Sequence, residues 1–324
     1  GLESNGYSKS DILNANDTKK KYGFDVERRV NEDFAVPLMA LGDEELTFES
    51  LIGEDFELHK QECSFNFNVH YDSDGRALID IKEGDTWSRS AQQILKIPRQ
   101  DRNCSKKELI QWLDKKLRFH NLDKEDKVKF LEKTIDGIQR YTVQELSINR
   151  YVLLEKLDEL IRSIMVEHSK KRFDQLLKEK KLKTKEFEKF PETITLLEEI
   201  PQEFDKNYYE QIEPLNGEEQ RFIGRLDLDS LPNIKFWIRN RAKKDPFYIQ
   251  GWQKDKFYPD FVALTHKGNI LVFEWKGEHL LDASDIKYKE EVARVWERLG
   301  NGKLHFFLAS NRKVEEILLA IKEL

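Results

Sequence analysis

The chain has 324 residues, 36% of them charged and 39% hydrophobic, with a formal net charge of −6. That length suits two or three domains. The negative balance excludes a protein that coats nucleic acid through bulk charge, though a local basic cleft stays open. No window approaches the run of about 18 apolar residues that crosses a membrane, and two cysteines, Cys63 and Cys104, are too few for a disulfide framework or a zinc site. They read as reduced thiols of a cytoplasmic protein.

Residues 1–35 are polar and weakly periodic, which suits a tail or linker. The opening GLESNGYSKSD has no initiator Met and no apolar signal region, so it is expected to be the interior of a longer chain or a cloning remnant. Residues 36–86 hold short extended runs, AVPLMAL, ELTFES, CSFNFNVHY and RALIDI, and predict a small β module. Within it Phe65, Phe67, Val69 and Tyr71 alternate with polar residues as in a half-buried strand. Asp74-Gly75 supplies a turn signal.

Residues 87–190 read as a helical accessory domain. Ser105 followed by Glu108 makes a capping box ahead of the stripe Leu109, Trp112, Leu113 and Leu117. Asp123 caps a second helix, and a long helix is expected from Val143 to about Lys180. Its basic end, KKRFDQLLKEKKLKTK, suits either a solvated face or a phosphate-contacting one. A proline-bearing connector then leads to a domain over residues 208–324, with the order helix, strand, strand, strand, helix, strand, helix. That order implies a mixed α/β sheet flanked by helices.

Two of those strands, FYPDFVAL and NILVFEWK, carry charges where the apolar runs end. If Thr265 pairs with Asn269 around a three-residue His-Lys-Gly loop, Gly268 takes the left-handed position of a type I turn with a G1 bulge. Partners in an antiparallel ladder have a constant sum, so this register sets Asp260 opposite Glu274, and Lys276 follows on the same face. Like charges directly opposite destabilise a bare sheet. A shared proton or a cation relieves them. Mg²⁺ fits two carboxylates and keeps waters for a phosphate substrate, which together support phosphodiester hydrolysis. The alternative is a surface ion pair at a hairpin edge. Between Lys235 and Lys256, seven cations, among them Arg239, Arg241, Lys243 and Lys244, stand against Asp245 and Asp255. Phe236, Trp237, Phe247, Tyr248 and Trp252 interleave with them, a composition suited to a nucleic-acid groove, although aromatics such as Phe236 also suit a core.

The segments NGEEQRF, IKFWIRN, FYPDFVAL, ILVFEWKGEHL and DIKYKEEVARVW resemble the PD-(D/E)xK nuclease superfamily. The resemblance is closer to the C-terminal nuclease region of type III restriction Res subunits and of related DEAD/DEAH-box helicase–nuclease proteins. It covers about residues 208–310. It implies a restriction-endonuclease-like fold and a Mg²⁺-dependent DNA endonuclease, with Mn²⁺ as a substitute ion. It also implies that Asp260 and Glu274 bind the metal, that Lys276 assists the attacking water and that Glu219 is the helix glutamate of the site. Lys287 and Lys289 would contact DNA phosphate or the reacting group. His279 follows the motif and either lines the cleft or stands in an exposed loop. The chain holds no G-x-x-x-x-G-K-[ST] sequence, so a helicase or ATPase motor is expected from a missing N-terminal part or another subunit, with a methyltransferase as a further partner and no membrane. The alternative is a non-catalytic DNA-binding or scaffold module of the same fold.

Overall fold

The structure is a computed structural model that describes residues 23–71, 77–78, 104–197, 204–217, 219–220, 223, 231–276 and 283–324. Gly277, His279, the Asp74-Gly75 turn and most of the helix expected at GEEQRFIGRLDL lie outside them. The described chain divides into two compact units. One is Phe48–Asp174; the other joins the residues up to Thr47 with those from Gln175 onward.

The second of these is mixed α/β. Its main sheet comprises β8 (Ile234–Arg239), β9 (Phe261–Thr265), β10 (Ile270–Trp275) and β11 (Leu304–Ala309), in the order β11-β10-β9-β8. The first three form an antiparallel meander, while β10 and β11 run parallel. A parallel pair needs a crossover, and α6 (Ala283–Leu299) provides it. From Ile234 onward the predicted order of strand, strand, strand, helix, strand and helix holds. All six residues of β10 are buried, as expected of a strand covered on both faces. On one face Trp237, Phe261, Leu271, Phe273 and Trp275 pack with Val314, Ile317 and Ile321 of α7 (Val314–Glu323). On the other, Trp296 of α6 meets Phe247 with ring centroids 5.7 Å apart. That face carries Asp260 and Glu274, because side chains alternate along a strand.

Two small sheets complete this unit. β1 (Phe24–Glu27) pairs with β7 (Thr193–Leu196), and β2 (Leu38–Leu41) pairs with both β3 (Glu44–Glu45) and β6 (Leu182–Lys185). They support α6: its Trp296 Nε1 donates to Pro37 O at 2.7 Å, and Thr184 Oγ1 donates to Leu299 O at 3.3 Å. Several expectations change here. The supposed tail contains β1, the supposed helical end contains β6 and the supposed connector contains β7. β2 lies between β3 and β6, so among the described residues the strands expected to form one β module take a partner from outside it.

The other unit is helical. It contains α1 (Phe48–Ile52), a 3-10 turn at Leu58–Lys60, α2 (Lys106–Lys116), α3 (Lys124–Gly137), α4 (Val143–Ile148) and most of α5 (Arg150–Lys178), beside a two-residue ladder of β4 (His70–Tyr71) and β5 (Ala77–Leu78). ELTFES was read as extended, yet its end enters α1, because Phe48, Leu51 and Ile52 bury together at helical spacing. The Ser105–Glu108 capping box forms, and Asp123 Oδ1 accepts from Asp126 N at 2.9 Å. The single helix expected from Val143 is interrupted at Asn149. There the backbone leaves helical geometry at φ −98 and ψ 21, while Asn149 Nδ2 donates to Glu145 O at 2.9 Å. A short amide side chain offers the backbone that alternative. Phe65, Phe67 and Val69 do alternate inward against this core, but no strand forms before His70.

Candidate metal and hydrolytic site

The site begins with the hairpin. Thr265 N donates to Asn269 O at 2.9 Å, and Gly268 N donates to Thr265 O at 3.0 Å. Gly268 sits at φ +80, left-handed as the loop requires. The ladder runs from Leu264↔Ile270 to Phe261↔Phe273, the register expected from the sequence. One further step sets Asp260 opposite Glu274. The end of the hairpin is braced: Asn240 N donates to Asp260 O at 2.9 Å, and Asn240 Nδ2 donates to Pro259 O at 2.9 Å. Asp260 Oδ2 accepts from Trp275 N at 2.7 Å, so this carboxylate caps the last turn of the ladder.

Glu274 is 4% exposed. Its Oε1 lies 2.7 Å from Lys276 Nζ and 3.6 Å from Lys289 Nζ, while its buried Oε2 has no hydrogen-bond partner. An ionised carboxylate oxygen stripped of water and partners is costly, so the arrangement is incomplete as protein alone. Burial, and after it the charge of Glu274, pushes the Asp260 carboxyl up to about 7, against the Trp275 N–H and Lys276. Burial works to lower Lys289, but Asp285 at 2.9 Å and Glu274 outweigh it and hold the ammonium above its ordinary range.

Glu219 is buried and close enough for its charge to raise Asp260 further. Its own oxygens are committed: Arg239 Nη2 lies 2.8 Å and 3.0 Å from them, and Asn216 N donates to Oε2 at 2.8 Å. Among the described residues no group of three or more His, Cys, Asp or Glu side chains gathers as a metal cluster. The described side chains that could hold an ion here are Asp260 and Glu274. Two hard carboxylates with one orphaned oxygen fit Mg²⁺ or Mn²⁺, ions content with one or two carboxylates and several waters.

The basic segment differs from its sequence reading. Lys235 pairs with Glu32, Arg239 with Glu219, Arg241 with Asp245 at 2.6 Å, and Lys244 with Glu213 at 2.7 Å. Three of these cations are thus met by acids from outside the stretch, and Arg241 by Asp245 within it. Phe236, Trp237, Phe247, Tyr248 and Trp252 are all buried, so they build the core and offer no stacking surface. Arg239 also donates to Glu213 O and Pro214 O; it positions the segment before Glu219. Lys243 is exposed, with a positive φ of 63. Lys287 is exposed on α6, two residues from Lys289 and so on a different helix face. Of the proposed DNA contacts, only Lys289 reaches the carboxylates. Sequence reasoning missed Asp285, although its spacing of four from Lys289 on a helix was the available signal.

Comparison with family models, curated proteins and solved structures finds no match to the chain. No helix among the described residues is long and apolar enough to cross a membrane.

Proposed function

We propose that the C-terminal unit is a restriction-endonuclease-like, PD-(D/E)xK-type domain that hydrolyses DNA phosphodiester bonds with Mg²⁺, or with Mn²⁺ in its place. The observation that carries this reading is the hairpin register, which sets Asp260 opposite a buried Glu274 whose Oε2 lacks a partner. A bound divalent ion supplies Lewis-acid charge and lowers the pKa of a coordinated water. The chain's own groups do the rest. Asp260 and Glu274 would hold the ion, the Trp275 N–H fixes the Asp260 carboxylate, and Lys276 would donate a hydrogen bond to the attacking water or to a non-bridging phosphate oxygen. Glu219 is a positioning residue, held by Arg239. The water gives up one proton to solvent as its oxygen bonds to phosphorus, the bond to the leaving oxygen breaks, and that oxygen takes up a proton from solvent. A helicase-type motor and a methyltransferase remain the proposed partners, and the cytoplasm the proposed compartment.

One observation favours a second reading, a non-catalytic scaffold of the same fold: Arg239, Arg241 and Lys244, expected to hold DNA, are tied to acids of their own chain. Plasmid nicking separates the two. The purified chain is expected to nick supercoiled DNA in Mg²⁺ or Mn²⁺, stop in EDTA, and lose activity by 100-fold or so as Lys276→Ala or Asp260→Ala, within the range of a lost acid–base or charge-stabilising group. Undiminished nicking by either variant sinks the catalytic assignment.

A further inference from the structure

Glu274 Oε1 faces two ammonium groups held in different ways. Lys276 Nζ is at hydrogen-bonding distance, 2.7 Å. Lys289 Nζ stands at 3.6 Å, too long for a hydrogen bond, and its close partner is Asp285 one helical turn earlier, at 2.9 Å. It also lies 5.4 Å from the centroid of the Phe257 ring. Lys289 is therefore anchored on its own helix and leans toward Glu274 by charge alone. It can withdraw without breaking a hydrogen bond to the carboxylate or losing its support from Asp285 and Phe257.

We infer that Lys289 couples metal binding to phosphate binding: it neutralises Glu274 while no cation is held, yields when a divalent cation arrives, and then engages an anionic oxygen of the substrate. This rests on the metal-site reading above. An ammonium and a divalent cation within a few ångströms of one carboxylate repel each other. Metal entry thus weakens the hold of Glu274 on Lys289 and leaves a positive group beside the site in need of an anion. Linkage makes the effect reciprocal, so a phosphate that draws Lys289 away tightens the metal by the same factor. Lys276, hydrogen-bonded to Oε1, has less freedom to act this way. Lys287, exposed on another face of α6, is outside the exchange.

The test measures Mn²⁺ affinity of the full chain by electron paramagnetic resonance, without nucleic acid. Lys289→Met should bind Mn²⁺ about fivefold tighter or more, a coupling of ordinary size. Asp285→Asn, which removes an acid and frees Lys289 to lean on Glu274, should bind it more weakly. A general folding defect would weaken both variants, so opposite signs identify the charge effect. Fluorescence anisotropy of a short labelled DNA duplex then compares Ca²⁺ with EDTA. Calcium should strengthen binding by the wild type by a larger factor than by Lys289→Met, which keeps the direct pull of the ion on phosphate but lacks the released ammonium. Equal or weaker Mn²⁺ binding by Lys289→Met, or a calcium effect as large in it as in the wild type, overturns the coupling. A wild type that holds no Mn²⁺ overturns the metal site itself, and the coupling with it.

Discussion

Replacing Asp260 by Asn removes one of two opposed charges while keeping an oxygen that can accept from the Trp275 N–H, 2.7 Å away in the wild type. The carboxyl is driven from an ordinary 3.8 to about 7, by burial first and Glu274 second. Each pKa unit corresponds to about 1.4 kcal/mol, so the ceiling on the penalty for ionising Asp260 in the folded chain is about 4 kcal/mol. The amide that replaces the carboxyl is buried in the same place, so only part of that ceiling, about 2 kcal/mol, is expected for Asp260→Asn. The sign follows from linkage. A raised carboxyl pKa contributes stability below the unfolded value that is lost as pH rises through the folded one. The metal-free variant should match the wild type near pH 4 and exceed it by about 2 kcal/mol at pH 8, with the change developing between the two pKa values. Urea unfolding in EDTA at a series of pH values reads this directly. Added Mg²⁺ should stabilise the wild type and leave Asp260→Asn nearly unmoved. No gain at pH 8, or a gain independent of pH, refutes the opposed-carboxylate account.

Other substitutions probe the frame around the site. Arg241→Gln strands Asp245, whose side chain is fully buried, and should cost about 3 kcal/mol in denaturant unfolding, with little effect on the salt dependence of DNA binding. Gly251→Ala places a Cβ 2.5 Å from Tyr288 Oη and Val292 Cγ2, so thermal melting should show a loss of about 1–3 kcal/mol from overpacking. Gly268→Ala meets no atom within 4 Å but keeps a φ of +80; its cost is conformational, about 1–2 kcal/mol by the same measurement, with Asn in its place costing less. A residue inserted into this loop should abolish nicking with every site side chain still present, since it breaks the register that opposes Asp260 to Glu274.

The sequence made the C-terminal sheet legible because its strands are bounded by their own signals: an apolar run, a turn glycine, a charged end. The register around His-Lys-Gly needed nothing more than the turn rule. β1 and β7 gave no such signal. Each has four residues, and Val26, Ile194 and Leu196 become an inward face only when the two strands meet. The basic segment misled for a related reason. A local count cannot see Glu32, Glu213 or Glu219, acids brought in by the fold from outside the stretch. Lys289 lies in the same blind spot, because its approach to Glu274 depends on α6 crossing the carboxylate face of the sheet.

The pairing of β2 with β6 bears on how the chain folds. These strands are separated by the whole helical unit, on the order of a hundred residues or more, and closing a flexible loop of that size carries an entropic cost that grows with the logarithm of its length. Helical contacts are local and form early, whereas strand pairings distant in sequence form late. A helical unit that folds first removes the residues it orders from the flexible loop that the two strands must close. On the ribosome, its residues emerge before β6, β7 and the whole main sheet. If the segment between Phe48 and Asp174 folds as it emerges, it acts as a spacer, and the site is assembled only once β9, β10 and α6 have followed.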